Sequence, residues 1–295
     1  MPSRACSRVP AVNAGPKHYF THLPDNLPCL FESGLLLMSN DKPAFFISDA
    51  HLGIECPGYD ARGRNLAAFL QELRGRAGSL FIVGDLFDFW VEYAHAIRPV
   101  YFNVLHHLRN LIETGTVVHY LAGNHDFALG PFLRNTIGMH TYFDHLELVL
   151  QGKKLHLHHG DGLIAGEAGY RVLRSFLRNP VLQACYKLMH PNIGVPLAKF
   201  FSGSSRHLFT RRCSEDKLAA YRNEARKLLS RGSDIVIFGH SHHAELLRLD
   251  GAIYCNTGEW IRRYTYAKLE EGELTLWEYF SDKPTQPFVG SSGEK

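Results

Sequence analysis

The sequence predicts an α/β fold. Short apolar runs rich in β-branched and aromatic residues alternate with helical patterns from residue 44 to 123, the pattern expected of buried strands joined by helical crossovers. Those runs end repeatedly in Asp, Asn and His, and ligands of open α/β sheets gather beyond the carboxyl ends of strands. The alternation lapses between 163 and 230, where helical patterns follow one another, so one α/β body carrying a helical insertion is expected.

Residues 1–40 are rich in Pro, Ser and Asn without a sustained period and are expected to form a loosely ordered extension. Met38 looks like a start, so the first 37 residues need not belong to the mature product. The domain is expected over 41–281. It opens with strand "AFFISD" (44–49), helix "NLAAFLQELRG" (65–75), strand "LFIVGD" (80–85), helix "PVYFNVLHHLRNLIE" (99–113) and strand "VVHYLAG" (117–123). "LELVLQGKKLHLHHGD" (146–161) alternates on both sides of "QGKK", which predicts a hairpin. The insertion, 163–230, is broken at Pro180, at Pro191 and around "SGSS" (202–205). Strands return at "DIVIFGH" (234–240), "AIYCNTG" (252–258), "YTYAKLE" (264–270) and "LTLWEYF" (274–280), before a flexible tail over 282–295.

A hydrophobic content of 45% suits a globular chain with a full core. The net charge of +3 gives no argument for nucleic acid, whose binding rests on a clustered basic footprint. The six cysteines lie far apart with no CxxC pair, which removes thiolate zinc sites and points to a reducing compartment. No run is apolar for long enough to span a bilayer and the N-terminus lacks the apolar region of a secretory signal, so a cytoplasmic protein is expected.

Five strand ends carry metal-ligand chemistry: Asp49 and His51 in "DAH"; Asp85 and Asp88 in "GDLFD"; Asn124, His125 and Asp126 in "GNHD"; His159 and Asp161 in "HHGD"; His240 and His242 in "GHSH". Each block alone is more often a turn or a cap than a ligand pair. All five in order require five coincidences if none of them binds anything. Carboxylates, one amide oxygen and imidazoles form a mixed O/N donor set suited to divalent ions such as Mn²⁺, Fe²⁺ or Zn²⁺. The set exceeds the four ligands of a structural zinc and suffices for two ions sharing one carboxylate. Such a pair draws its nucleophile from water, so no protein nucleophile is needed.

This ordered set resembles the calcineurin-like metallophosphoesterase superfamily over roughly residues 44 to 280. The resemblance implies a four-layer αββα sandwich. It implies that Asp49, His51, Asp85 and His242 hold one metal ion, and that Asp85, Asn124, His159 and His240 hold the second. It further implies catalytic roles for His125, acting on the transferring phosphoryl group, and for Asp88, steadying it, with Asp126 and Asp161 as orienters.

The insertion must choose the substrate. Between Ala168 and Ser214 there are basic residues but no Asp or Glu, interleaved with apolar ones, and Arg171, Arg174 and Arg178 fall on one helix face. Basic amphipathic helices suit a membrane surface or an anionic lipid. "HPNIGVPLAKFFSGSSR" and "NTGEW" resemble the UDP-2,3-diacylglucosamine hydrolases, which cleave a UDP-linked diacyl sugar to UMP and the acylated sugar 1-phosphate in lipid A assembly, usually with Mn²⁺. The resemblance implies a nucleotide-lipid substrate bound partly by Arg171, Arg174 and Arg206, two Mn²⁺ ions and peripheral contact with the inner membrane; no obligate protein partner is evident in the sequence. One departure stands out: the best-known members carry Arg where this chain has His125. Another metallophosphoesterase (nucleotide pyrophosphatase, phosphoprotein phosphatase or nuclease) and a noncatalytic lipid-binding scaffold stay open at this point.

Overall fold

The computed structural model describes residues 36–38, 41–53, 59–93, 95–164, 175, 178–197, 213–281 and 285–288. Two sheets stack face to face. The first runs β1(Leu36–Met38), β6(His145–Leu150), β7(Lys153–His158), β8(Ile235–Phe238), β10(Ala252–Asn256), β9(Glu245–Leu249). The second runs β13(Gln286–Pro287), β12(Glu273–Glu278), β11(Thr265–Glu270), β2(Ala44–Ile47), β3(Ser79–Val83), β4(Val117–Leu121), β5(His140–Tyr142). Strands β2 to β5 are parallel, joined by helical crossovers that include α1(Tyr59–Leu73) and α2(Phe102–Glu113). Helix α4(Glu215–Ser230) packs on the first sheet, and α3(Pro180–Leu188) belongs to the insertion, followed by helical residues 191–197.

Burial explains the strand sequences. Residues with alternating faces such as Leu146, Leu148 and Leu150, or Leu155 and Leu157, turn one face inward, where they meet Phe46, Phe81, Val83 and Leu121 of the other sheet. The central strands β2, β3 and β8 are covered on both faces and read as continuous apolar runs, each residue buried. A second core lies between the β2–β4 sheet and α1/α2, with Leu70, Leu80, Ile82, Leu108 and Trp90, and a third between the other sheet and α4, with Tyr221, Ala225, Phe238 and Tyr254. Each fully buried Leu, Ile or Phe among them contributes about 1.5–3 kcal/mol by leaving water. The layers are therefore α, β, β, α, as the resemblance implied. Across four parallel strands the rings of Phe46, Phe81, His119 and His140 form a stacked row, with centroids 4.9, 4.6 and 5.3 Å apart.

The predicted hairpin turns at Gln151 and Gly152, both with positive φ, as a two-residue I′ turn requires. The same chemistry recurs at Asp250–Gly251 and Glu271–Gly272. The first of these closes β9 onto β10, a strand the apolar pattern alone does not announce. Short strands β1 and β5 are edge pieces, and Leu36–Met38, within the stretch expected to be loosely ordered, pairs parallel to Leu148–Leu150. No helix among the described residues is long and apolar enough to cross a membrane.

Candidate metal centre

All five motifs lie just beyond the carboxyl ends of strands: β2 and β3 and β4 from one sheet, β7 and β8 from the other. The sandwich thus brings the carboxyl ends of strands from both sheets to one place. The backbone there bends in a way L-residues seldom adopt, for Asp49, His51, Asp85, His240 and His242 all have positive φ between 44° and 65°. These bends turn side chains off the strand direction and into a common space. Two glycines make room: a Cβ on Gly84, itself at φ 85°, would meet the His159 ring at 2.3 Å, and one on Gly123 would meet Asp85 Oδ1 at 2.1 Å.

The donors form two groups. In the first, His242 Nε2 lies 3.3 Å from Asp49 Oδ1 and 3.2 Å from His51 Nε2. In the second, Asp85 and His159 gather with His240, and His159 Nε2 is 3.1 Å from Asn124 Oδ1. Asp85 Oδ2 stands between the groups, 3.3 Å from His159 Nε2 and 3.7 Å from His51 Nε2. Ligand bonds of roughly 2.0–2.2 Å separate neighbouring ligand atoms by about 3.0–3.5 Å, so this spacing suits ions at both places. The fit is supported by Asp49 Oδ1, buried without a hydrogen bond while Oδ2 accepts from the Ser48 hydroxyl and from His240 N at 2.9 Å. All seven sequence-predicted metal residues are therefore brought together. Arg171, Arg174 and Arg206 lie outside the described residues.

Charge reinforces the arrangement. Burial pushes the Asp49 carboxyl up, but the charge of the His242 imidazole beside it, with help from His51, outweighs this and holds the group well below the usual carboxylate range. Asp85 likewise has burial overcome by His159 and His125. Burial lowers His159 and His242, yet Asp85 raises the first well above its ordinary value and Asp49 raises the second. His51 is lowered by burial, and His240 falls to about 4 through burial and the neighbouring His159.

His125 sits beside both groups, its ring 4.8 Å from that of His51 and edge-on to it. Its Nδ1 donates to the Asp88 backbone carbonyl at 3.0 Å, and the Asp88 carboxylate is 3.7 Å away. The carboxylate of Asp126 accepts from Gly123 N, Asp85 N and Phe87 N at 2.8, 3.2 and 3.3 Å and from the Tyr120 hydroxyl, so it organises main chain and does not face the donors.

Several supports lie outside the five strand-end motifs. Ser48 joins Asp49 to Thr257, whose hydroxyl is 2.7 Å from Ser48 Oγ. Asn256 Nδ2 holds the carbonyl of Gly239 at 2.7 Å, and Trp260 N reaches the carbonyl of Asp49 at 3.1 Å. The "NTGEW" stretch is thus a brace behind the loops that carry Asp49 and His240. Its sequence signal was the family resemblance of these five residues, which begin at Asn256, the last residue of β10.

Residues 42–244 match the family model described as calcineurin-like phosphoesterase. The UDP-2,3-diacylglucosamine hydrolase of Porphyromonas gingivalis is 30% identical over 250 residues, covering 79% of this chain and 95% of that protein. Those of Neisseria meningitidis serogroup B and Pseudomonas putida are 29% and 28% identical over 235 and 237 residues, covering 79% and 78% of this chain and 95% and 96% of theirs.

Proposed function

Since the chain belongs to the calcineurin-like phosphoesterase family, a family of metal-dependent hydrolases, we propose that it cleaves the pyrophosphate of UDP-2,3-diacylglucosamine. Water attacks phosphorus, the P–O–P link breaks, and UMP and 2,3-diacylglucosamine 1-phosphate leave, a step in lipid A assembly. The observation that carries this reading is the pair of donor groups meeting at Asp85 with His125 beside them, in a chain whose relatives bear that enzyme name over most of their length.

Asp49, His51, Asp85 and His242 would hold one divalent ion and Asp85, Asn124, His159 and His240 the other, with Mn²⁺ suited to the mixed O/N set. Two such ions supply Lewis acidity and ready ionisation of water at neutral pH. The chain's own groups do the rest. Ser48 and the His240 main chain fix the Asp49 carboxylate so that Oδ1 faces the donors. The Asp88 carbonyl keeps a proton on His125 Nδ1, which leaves Nε2 to carry the proton that moves. When protonated there, His125 donates to a phosphoryl oxygen or the departing phosphate, in the place where the best-known hydrolases of this kind use Arg.

The described part of the insertion supports an acyl-bearing substrate. Val181, Leu188 and Ile193 are 66%, 87% and 61% exposed, so α3 and the residues after it present apolar side chains to the outside. Such surface is suited to acyl chains or to a membrane interface, where the enzyme would meet its substrate. Incubation of purified protein and Mn²⁺ with UDP-2,3-diacylglucosamine tests the reading: release of UMP, abolished by EDTA, is expected, and intact substrate after prolonged incubation would overturn it.

A further inference from the structure

We infer that Glu92 is the positioning residue that clamps the loop bearing His125 against the loop bearing Asp88, and so sets the orientation of the His125 imidazole. Only its activity readout rests on the phosphohydrolase reading above.

Glu92 follows β3 in the same segment as Asp85 and Asp88. It is 6% exposed, and among the described residues no Lys or Arg forms an ion pair with it. Its negative charge is met by donors of neutral groups instead. Oε1 accepts from Gly130 N at 2.9 Å, Trp90 Nε1 at 3.2 Å and Leu133 N at 3.4 Å, and Oε2 accepts from Phe132 N at 2.8 Å. Three of these four donors are main-chain groups of the segment that follows "GNHD".

Those bonds close a ring of two loops. At one end His125 Nδ1 meets the Asp88 carbonyl; in the middle Val91 and Ala128 form a parallel β-bridge; at the other end Glu92 takes Gly130 N. The fit at the far end is close, since a Cβ on Gly130 would meet Glu92 Oε2 at 2.2 Å. Capping alone does not explain the choice of residue. Phe132 N and Leu133 N open a helical turn whose own N-cap, Pro131, makes no side-chain cap bond, and the acceptor arrives from 40 residues upstream. A local Ser or Asp would cap the turn without tying it to the Asp88 loop. With Glu92 in place, the two loops cannot slide past each other, and the imidazole keeps one tautomer and one direction.

The test uses Glu92→Gln, which retains shape but sets an amide N–H against main-chain N–H donors, and Gly130→Ala, which presses on the same carboxylate from the opposite side. In the full chain with Mg²⁺, the imidazole ¹⁵N spectrum of His125 should show Nδ1 protonated in a single form in the unsubstituted protein and a mixture of Nδ1- and Nε2-protonated tautomers in both variants. With Mn²⁺ and UDP-2,3-diacylglucosamine, kcat should fall about tenfold in each while KM stays within about twofold. Adding Glu92→Gln to His125→Ala should slow that variant no further, because the effect passes through the imidazole. Unchanged spectra with unchanged kcat would overturn the assignment. So would an equal slowing in the presence and absence of His125, which marks a general structural role. If the unsubstituted protein releases no UMP, the substrate reading falls and the imidazole spectra alone decide the role of Glu92.

Discussion

His125 donates from Nδ1 to the main-chain carbonyl of Asp88 across 3.0 Å, while the carboxylate of the same residue stands 3.7 Å off. A carbonyl only accepts, so this contact assigns the proton to Nδ1. The steadying expected of the Asp88 side chain is therefore shared with its backbone. His125→Ala should lower kcat by about 10² to 10⁴-fold at unchanged metal content, the usual contribution of a proton-transfer group. Asp88→Asn should cost less than about tenfold, because the carbonyl remains. Steady-state kinetics with metal analysis on both variants checks the order; an Asp88→Asn loss equal to that of His125→Ala would put the carboxylate in charge.

Asp85 touches both donor groups, at 3.3 and 3.7 Å, whereas His242 touches one. Asp85→Ala should therefore strip both ions and abolish UMP release, and His242→Ala should keep roughly one ion per chain. Elemental analysis after dialysis against Mn²⁺ separates the two. Equal metal content in both variants would contradict the sharing.

Metal loading should release protons. His159 and His242 are raised above their ordinary values by Asp85 and Asp49 after burial has lowered them, so near neutral pH a share of them carries a proton that a metal ligand must give up. Mn²⁺ affinity should thus decline as pH falls from 8 to 6. Calorimetry in buffers of different ionisation enthalpy reads the proton count, expected at between about one and two. A count of zero would mean that the imidazoles are already neutral.

His119 predicts an acid-sensitive fold independent of the site. Burial lowers it to about 3, with His140 adding to the fall, and its Nδ1 lies 3.0 Å from the Tyr142 hydroxyl. An unfolded imidazole titrates near 6.5, so below that pH the unfolded state binds a proton which the native state refuses. The penalty is absent above about 6.5 and grows as pH drops toward about 3, at up to about 1.4 kcal/mol per pH unit. His119→Phe keeps a ring on Phe81 and should flatten melting temperature against pH between 6.5 and 4. An identical slope in the variant would exclude His119 as a cause.

The strand ends were readable because their chemistry is unusual: Asp49, Asp85, His159 and His242 follow buried runs that have only one plausible conformation. Other parts were silent for physical reasons. Strand β9, Glu245–Leu249, sits at a sheet edge with every residue at least partly exposed, so no apolar alternation marks it, although Asp250–Gly251 supplied a turn signal. Strand β5, His140–Tyr142, is a three-residue edge piece with the same difficulty. Glu92 reads as an ordinary acid, since its partners are main-chain groups of a distant segment. The Asp88 carbonyl is invisible in principle, for a side-chain motif cannot report what its own backbone contributes.

The five left-handed corners at Asp49, His51, Asp85, His240 and His242 carry an implication for durability. Each asks a bulky residue to sit where glycine is comfortable, at roughly 1 kcal/mol apiece. Replacing His240 by Gly and by Ala discards the same imidazole, yet only Gly relaxes the bend, so the metal-free Gly form should melt about 2–4 °C above the Ala form. A crippled molecule would then outlast its equally crippled sibling, which means the working one is held short of its most robust sequence by the task its corners perform.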